Sequence, residues 1–146
     1  MKICLMAALI AFCLMTATAS TINAASRPKT LHSYLQLPKP GARVSLPGNG
    51  YFTYGFTKPP KLGMRIMKVE IFTREGKPDT SFTVKGDADM PSMRGVHSTG
   101  DQEFVVSAKG EYLLPVNLVM PGDWEVRLSL AKNGQTLLRG AYLFDL

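Results

Sequence analysis

Apolar and polar residues alternate along the second half of the chain, in short runs separated by turn signals. The most regular run covers residues 81–90, where every second position is apolar or small and the positions between are polar. The first set is Phe82, Val84, Gly86, Ala88 and Met90, and the second is Ser81, Thr83, Lys85, Asp87 and Asp89. A period of two with this division predicts a half-buried β-strand. Met90 would end the strand on its core face, and Asp87 and Asp89 would point to solvent.

Further runs of the same kind lie on both sides of this strand. Residues 63–73 form one run, which a turn sequence closes, and residues 103–108 form another. Two later strands are predicted to direct inward Tyr112, Leu114, Val116 and Leu118, and then Trp124, Val126, Leu128 and Leu130. Pro115 interrupts the first of these two strands and predicts an edge position or a bulge, because proline has no N–H to donate to a ladder.

The strands and turns together predict the fold class. Asn133-Gly134 is a strong signal for a two-residue hairpin, and no window predicts a helix. About seven strands in roughly 100 residues favour an all-β, immunoglobulin-like β-sandwich of antiparallel strands. We assign residues 51–146 to this domain and residues 26–50, which are rich in Pro and Gly, to an extended lead-in.

Residues 1–25 have the pattern of a signal peptide. A lysine precedes an uncharged apolar run, and Ala17 and Ala19 match the small-x-small motif that signal peptidase cleaves. Cleavage is expected after Ala19, or after Ala24 or Ala25. The apolar run is shorter than the roughly 20 residues of a membrane-spanning helix. A periplasmic protein is therefore the main expectation, and an inner-membrane protein anchored by an uncleaved signal is the alternative.

The residues available for catalysis are few. Cys4 and Cys13 lie in the segment that would be removed, so the exported chain would have no disulfide, no thiolate ligand and no cysteine nucleophile. Its histidines are His32 and His97, and it contains no Gly-rich phosphate loop, no H-E-x-x-H and no G-x-S-x-G. We predict a protein that is not an enzyme and has no evident small-molecule substrate.

Charge is distributed unequally along the chain, which has a formal net charge of +6. Residues 20–69 contain eight basic residues and no acidic one, whereas residues 70–146 contain eight basic and eleven acidic residues. The basic half could be attracted to an anionic membrane surface or an acidic envelope partner. A solvated basic face without a partner is the preferred interpretation, because the charges are dispersed among prolines and are not clustered. Nucleic acid is not predicted, because export removes the usual target.

One constellation could bind a metal. Met90 and Met93 bracket a proline-containing turn, and His97 follows four residues later. Thioethers are soft ligands that suit Cu(I), and imidazole is a third donor that copper accepts. Met64, Met67 and Met120 are further sources of sulfur. The competing interpretation is structural, because methionine is a common gap-filler in cores and Met90 lies in the core register of its strand.

Two segments together resemble a known family. They are "ADMPSMRGVH" and "GEYLLPVNLVMPGDWEVRLSL", and they resemble the YtkA-like domain, which is related to the FixH group of periplasmic proteins. The matching positions are Met90, Pro91, Met93 and His97, then Gly110 and Tyr112, and then Pro121, Gly122 and Trp124. The resemblance extends from about Tyr51 to Leu130. It implies an exported immunoglobulin-like sandwich, linked to copper handling and to the assembly of copper-containing respiratory oxidases.

The chain departs from the family pattern in two ways. Arg94 and Val96 separate Met93 from His97, where many relatives have a closer Met-Gly-His, and a FixH-like membrane anchor is not evident. The leading hypothesis is a non-enzymatic periplasmic protein that binds or relays copper, preferably Cu(I), through Met90 and Met93 with His97 as third ligand. It would act as a chaperone-like accessory to copper-enzyme assembly. The alternative is a metal-free module that docks onto another envelope or membrane protein. The oligomeric state does not follow from the sequence.

Overall fold

The structure is a computed structural model that describes residues 34–146. Its ten strands are β1 (Leu35–Gln36), β2 (Val44–Ser45), β3 (Tyr51–Phe56), β4 (Gly63–Phe72), β5 (Phe82–Asp89), β6 (Gln102–Glu103), β7 (Val105–Val106), β8 (Tyr112–Leu118), β9 (Asp123–Lys132) and β10 (Gln135–Asp145). The signal peptide predicted for residues 1–25 and His32 lie outside the described residues. Within residues 34–146, no helix is long and apolar enough to cross a membrane.

The strands form two five-stranded sheets that pack face to face. One sheet has the order β1-β10-β9-β5-β6, and the other has the order β2-β3-β4-β8-β7. All neighbours are antiparallel except β1 and β10, which are parallel. The predicted all-β sandwich is therefore confirmed, with ten strands instead of about seven. The difference arises because β1, β2, β6 and β7 contain two residues each, which is too short for alternation to be visible.

The described part of the predicted lead-in contributes edge strands to both sheets. β1 pairs with β10, and β2 pairs with β3. Apolar residues next to these strands enter the core, with Leu37 and Leu46 each 5% exposed.

The inward positions predicted for the long strands are confirmed. Val84 and Ala88 of β5 are nearly inaccessible, as is Met90 directly after the strand, and Phe82 at its start is partly buried. Along β9, Trp124, Val126, Leu128 and Leu130 are at most 1% exposed. β5 lies between β9 and β6 and pairs with β9 along its whole length. The core therefore consists of the alternating positions of the central strands from both sheets.

Turn chemistry and edge positions also follow the prediction. Asn133 and Gly134 have φ values of 51° and 77°, as the hairpin joining β9 to β10 requires. Pro115 lies opposite Ile66 of β4, and on its other side β7 pairs with Tyr112 and Leu113 alone. β8 is consequently the edge of its sheet at Pro115, which confirms the prediction of an edge position.

A tyrosine hydroxyl links the two sheets at the end of the sandwich where β5 begins. The Tyr112 hydroxyl donates to the Phe82 carbonyl at 3.0 Å and accepts from the Phe82 N–H at 3.2 Å. Burial raises the pKa of Tyr112, which keeps the hydroxyl protonated and able to donate.

Close packing between the sheets can be tested at Gly86. A Cβ at this position would lie 2.7 Å from Phe104 Cε2 and 3.0 Å from Leu114 Cδ2. We expect Gly86→Ala to lower the free energy of unfolding by about 1–3 kcal/mol, because the neighbouring side chains would have to leave their packed positions. Urea denaturation measures the loss. Lys85→Ala, at the exposed neighbouring position, is the control and should change stability by about 0.5 kcal/mol at most. Equal stability of the two variants would contradict the close contact.

Candidate metal centre

The segment after β5 turns sharply and folds back along the same strand. Pro91–Met93 forms a single 3₁₀ turn, in which the Met93 N–H donates to the Met90 carbonyl at 2.9 Å. Proline suits the first position of such a turn, since its N–H would have no partner there. Gly95 follows with a φ of 82°, a conformation that favours glycine. The chain then returns beside β5, where the Thr99 N–H donates to the Ala88 carbonyl at 3.1 Å.

Met90 belongs to the core at this end of the sandwich. Its side chain is 2% exposed. A Cβ on Gly122, in the turn between β8 and β9, would lie 2.9 Å from Met90 Cε. Gly122 also exchanges two backbone hydrogen bonds with Leu146, at 3.0 and 3.2 Å. Met90 therefore fills the space between the end of β5 and the β8–β9 turn.

His97 and the backbone of Met120 lie beside the indole of Trp124. The rings of His97 and Trp124 have centroids 6.4 Å apart and an interplanar angle of 40°. The Trp124 indole N–H donates to the Met120 carbonyl at 3.0 Å. Met93 and Met120 are partly buried and pack against the core, and His97 is also partly exposed. The structure thus brings the three predicted ligands and Met120 to one end of the sandwich, which we call the Met90 end.

The prediction that Asp87 and Asp89 point into solvent is wrong. Asp89 is 3% exposed, and its two carboxylate oxygens accept the Met90 N–H at 2.9 Å and the Gly95 N–H at 3.0 Å. Asp87 is partly buried and accepts the Ser98 hydroxyl at 2.9 Å. The alternation of the strand was identified correctly, but the segment after Met90 covers the outer face on which these carboxylates lie.

Arginine side chains complete a charged network on that face. The Glu125 carboxylate of β9 accepts hydrogen bonds from Arg127 Nε at 2.7 Å and from Arg94 Nη1 at 2.5 Å. Arg127 Nη1 also lies 4.0 Å from Asp87 Oδ2. Burial acts to raise the pKa of Glu125, but the hydrogen bond from Arg94 and the charge of Arg127 outweigh it and lower the pKa. Arg94 therefore fastens the loop to the sheet, a role that the sequence did not reveal. The sequence feature that could have indicated this role is the pair of opposite charges, Glu125 and Arg127, at outward positions of β9.

A further attachment joins the 3₁₀ turn to the start of β9. The Ser92 N–H donates to Asp123 Oδ2 at 2.9 Å, and the Ser92 hydroxyl donates to Asp123 Oδ1. The hydrogen bond from the Ser92 hydroxyl lowers the pKa of Asp123. The loop is therefore attached to the strands by Asp89 before the turn, Ser92 within it and Arg94 after it.

The donors present at the Met90 end suit a soft ion. Among residues 34–146 there is no group of three His, Cys, Asp or Glu side chains that could hold a metal ion. The carboxylates nearby are engaged by backbone N–H groups, hydroxyls and arginines. What is left is the thioethers of Met90, Met93 and Met120 and the imidazole of His97, which is a donor set for Cu(I) more than for zinc or calcium.

The fold and the loop define the class of protein. It is a small all-β sandwich domain with a methionine-containing turn after a central strand. Residues 52–129 match the sequence model of the YtkA-like family, and the chain belongs to that family. The matched region extends from β3 into β9 and includes the Met90 end. No curated protein and no solved structure matches the chain.

The different burial of the two methionines predicts different effects on stability. We expect Met90→Ala to lower the free energy of unfolding by about 2–5 kcal/mol, because it leaves a cavity in the core. Met93→Ala should lower the free energy of unfolding by clearly less, since the Met93 side chain is partly exposed. Urea denaturation in metal-free buffer compares them. Equal losses would contradict a core position for Met90 and a rim position for Met93.

The lowered pKa of Glu125 predicts a dependence of stability on pH. A carboxylate with a depressed folded-state pKa stabilises the fold fully above its unfolded pKa, and this stabilisation disappears as the pH falls through the folded-state pKa. We expect Glu125→Gln to be about 1–3 kcal/mol less stable than the parent at neutral pH. The difference should shrink in acid, as Glu125 itself becomes protonated.

Chemical denaturation at a series of pH values measures this effect. Glu103→Gln is the control, since Glu103 is exposed on β6. It should follow the parent at every pH. A loss in Glu125→Gln that stays the same from neutral to acidic pH would contradict the stabilising role of the charged form.

Proposed function

We propose that this protein is an exported, non-enzymatic copper-binding domain that holds Cu(I) at the Met90 end and passes it to a partner. The observation that carries the proposal is the position of Met90, Met93, Met120 and His97 at one end of the sandwich. The His97 ring lies beside the Trp124 ring, the Trp124 indole N–H donates to the Met120 backbone carbonyl, and Met90 packs against the β8–β9 turn. Membership in the YtkA-like family supports it, through the link to copper handling that the family resemblance implies.

The exposure of the donors suggests an order of contact. Met93 and His97 are partly accessible, so an incoming ion would meet them first. Met90 is buried, so its sulfur would take part only after a local shift of its packing. The attachments of the loop through Asp89, Arg94 and Ser92 limit the space over which Met93 and His97 move, and they lower the entropy cost of holding both donors on one ion.

A metal-free docking module is the second candidate. The burial of Met90 favours it, because core packing alone accounts for that residue. Under this alternative, Met93 would close the end of the sandwich, and His97 would pack on Trp124 without a ligand role. The two candidates differ in whether Cu(I) binds at all.

The decisive experiment is an anaerobic competition titration of Cu(I) against a colorimetric chelator. We expect one Cu(I) per chain, with affinity reduced at least about tenfold by Met93→Leu and by His97→Ala, which corresponds to about 1.4 kcal/mol. Leucine approximates the shape of methionine, so the metal-free stability of Met93→Leu should remain close to that of the parent. Trp124, the single tryptophan of the chain, reports binding separately through quenching of its emission.

Met64→Leu is the matched control, because Met64 is an exposed methionine on the outer face of β4. It should leave both the affinity and the quenching unchanged. Failure of the parent protein to compete with the chelator, or equal loss of affinity in Met64→Leu, would overturn the proposal. The first of these results would favour the docking module.

A further inference from the structure

Three basic side chains surround a cavity beside the loop that joins β3 to β4. Lys58, Lys61 and Arg65 line it together with Pro59, and its volume is about 420 Å³. None of the three basic residues takes part in an ion pair among the described residues. The cavity is therefore a cationic site to which the described part of the chain supplies no counter-charge.

Exposed apolar side chains lie next to this cationic site. Leu62 and Met64 are 50% and 56% exposed, and they alternate along the chain with Lys61 and Arg65. Val119, which is 51% exposed, follows Leu118, the residue paired with Gly63. The apolar residues of β4 and of the β8–β9 turn therefore meet at this end of the sandwich.

The loop is held in one arrangement before any partner arrives. Pro59-Pro60 restricts the backbone at its tip. The Arg65 guanidinium donates to the Met64 carbonyl at 2.6 Å and to the Leu62 carbonyl at 3.4 Å. Arg65 Nε is buried and has no hydrogen-bond partner among the described residues. A pre-ordered loop binds with a smaller loss of conformational entropy.

We propose that residues 58–65, with Val119, form a docking surface for an anionic phospholipid bilayer, and we call it the lipid-docking loop. Lys58, Lys61 and Arg65 bind lipid phosphates, while Leu62, Met64 and Val119 enter the boundary between headgroups and acyl chains. Clustered basic residues next to apolar ones are the combination that anionic membranes attract. No acidic residue lies between positions 34 and 69, so this stretch of the sequence adds no charge that an anionic surface would repel.

A bilayer explains the surface better than an acidic protein partner does. The apolar groups are three separate aliphatic side chains without an aromatic anchor, and the one arginine of the surface, Arg65, already donates to the Met64 and Leu62 carbonyls. Protein interfaces are usually centred on aromatic or arginine anchors that insert into pockets of the partner. Separate aliphatic side chains among basic ones suit the interface of a bilayer. There the aliphatic groups enter the acyl-chain boundary, while the charged ends of the Lys and Arg side chains reach the lipid phosphates.

The test places an environment-sensitive fluorophore on the loop of the full chain. Cys4→Ser and Cys13→Ser remove the native thiols, and Leu62→Cys carries the label. Vesicles of phosphatidylcholine alone are compared with vesicles that also contain phosphatidylglycerol. We expect a blue shift, and quenching by spin-labelled acyl chains, only with phosphatidylglycerol. Attachment of the chain through its amino-terminal apolar run would occur with both kinds of vesicle, so the difference between them at position 62 reports on the loop.

Two controls make the result specific. A label on Val105→Cys, at a site 70% exposed on β7, should show neither the blue shift nor the quenching. Lys58→Glu/Lys61→Glu, at two exposed positions, should weaken the partition of the Leu62 probe by about tenfold or more, and added salt should weaken it further. A probe at position 62 that stays in water, or one that inserts equally into uncharged vesicles, would overturn the proposal. No copper is present in this experiment. Its outcome therefore does not depend on whether the protein binds Cu(I).

Discussion

The buried carboxylate of Asp89 is the interaction on which the Met90 end depends. Its two oxygens accept backbone N–H groups from Met90 and Gly95, which stand on either side of the 3₁₀ turn. A side chain that accepts hydrogen bonds from both ends of a short loop determines where the residues between them lie. Met93 is therefore positioned by a residue that has no donor role in the candidate site.

This arrangement explains why the fold could be predicted further than the site. Alternation identified the inward faces of β5, β8 and β9, because burial of one strand face is a local property of the sequence. The hairpin at Asn133-Gly134 was visible for the same reason, since two adjacent residues determine its geometry. The short strands were missed, because two residues are too few to show a period.

The environment of the candidate site could not be derived in this way. Asp87 and Asp89 occupy outward positions, and an outward position normally implies solvent. Their burial depends on a loop that returns to its own strand and on Arg94 and Arg127, which pair with Glu125. These contacts depend on the path of the loop and on an ion pair between Arg94 and Glu125, which lie 31 positions apart, and no period or short motif encodes them. The same holds for the proximity of His97 to Trp124.

The carboxyl end of the described chain carries a practical consequence. Leu146 forms two backbone hydrogen bonds with Gly122, directly beside Met90. Anything joined to the chain after Leu146 would therefore begin next to the candidate donors. A polyhistidine tag in that place would bring additional imidazoles to a region whose own imidazole is His97. Metal binding measured on such a fusion would report on the tag together with the protein, so a tag in that place has to be removed before the measurement.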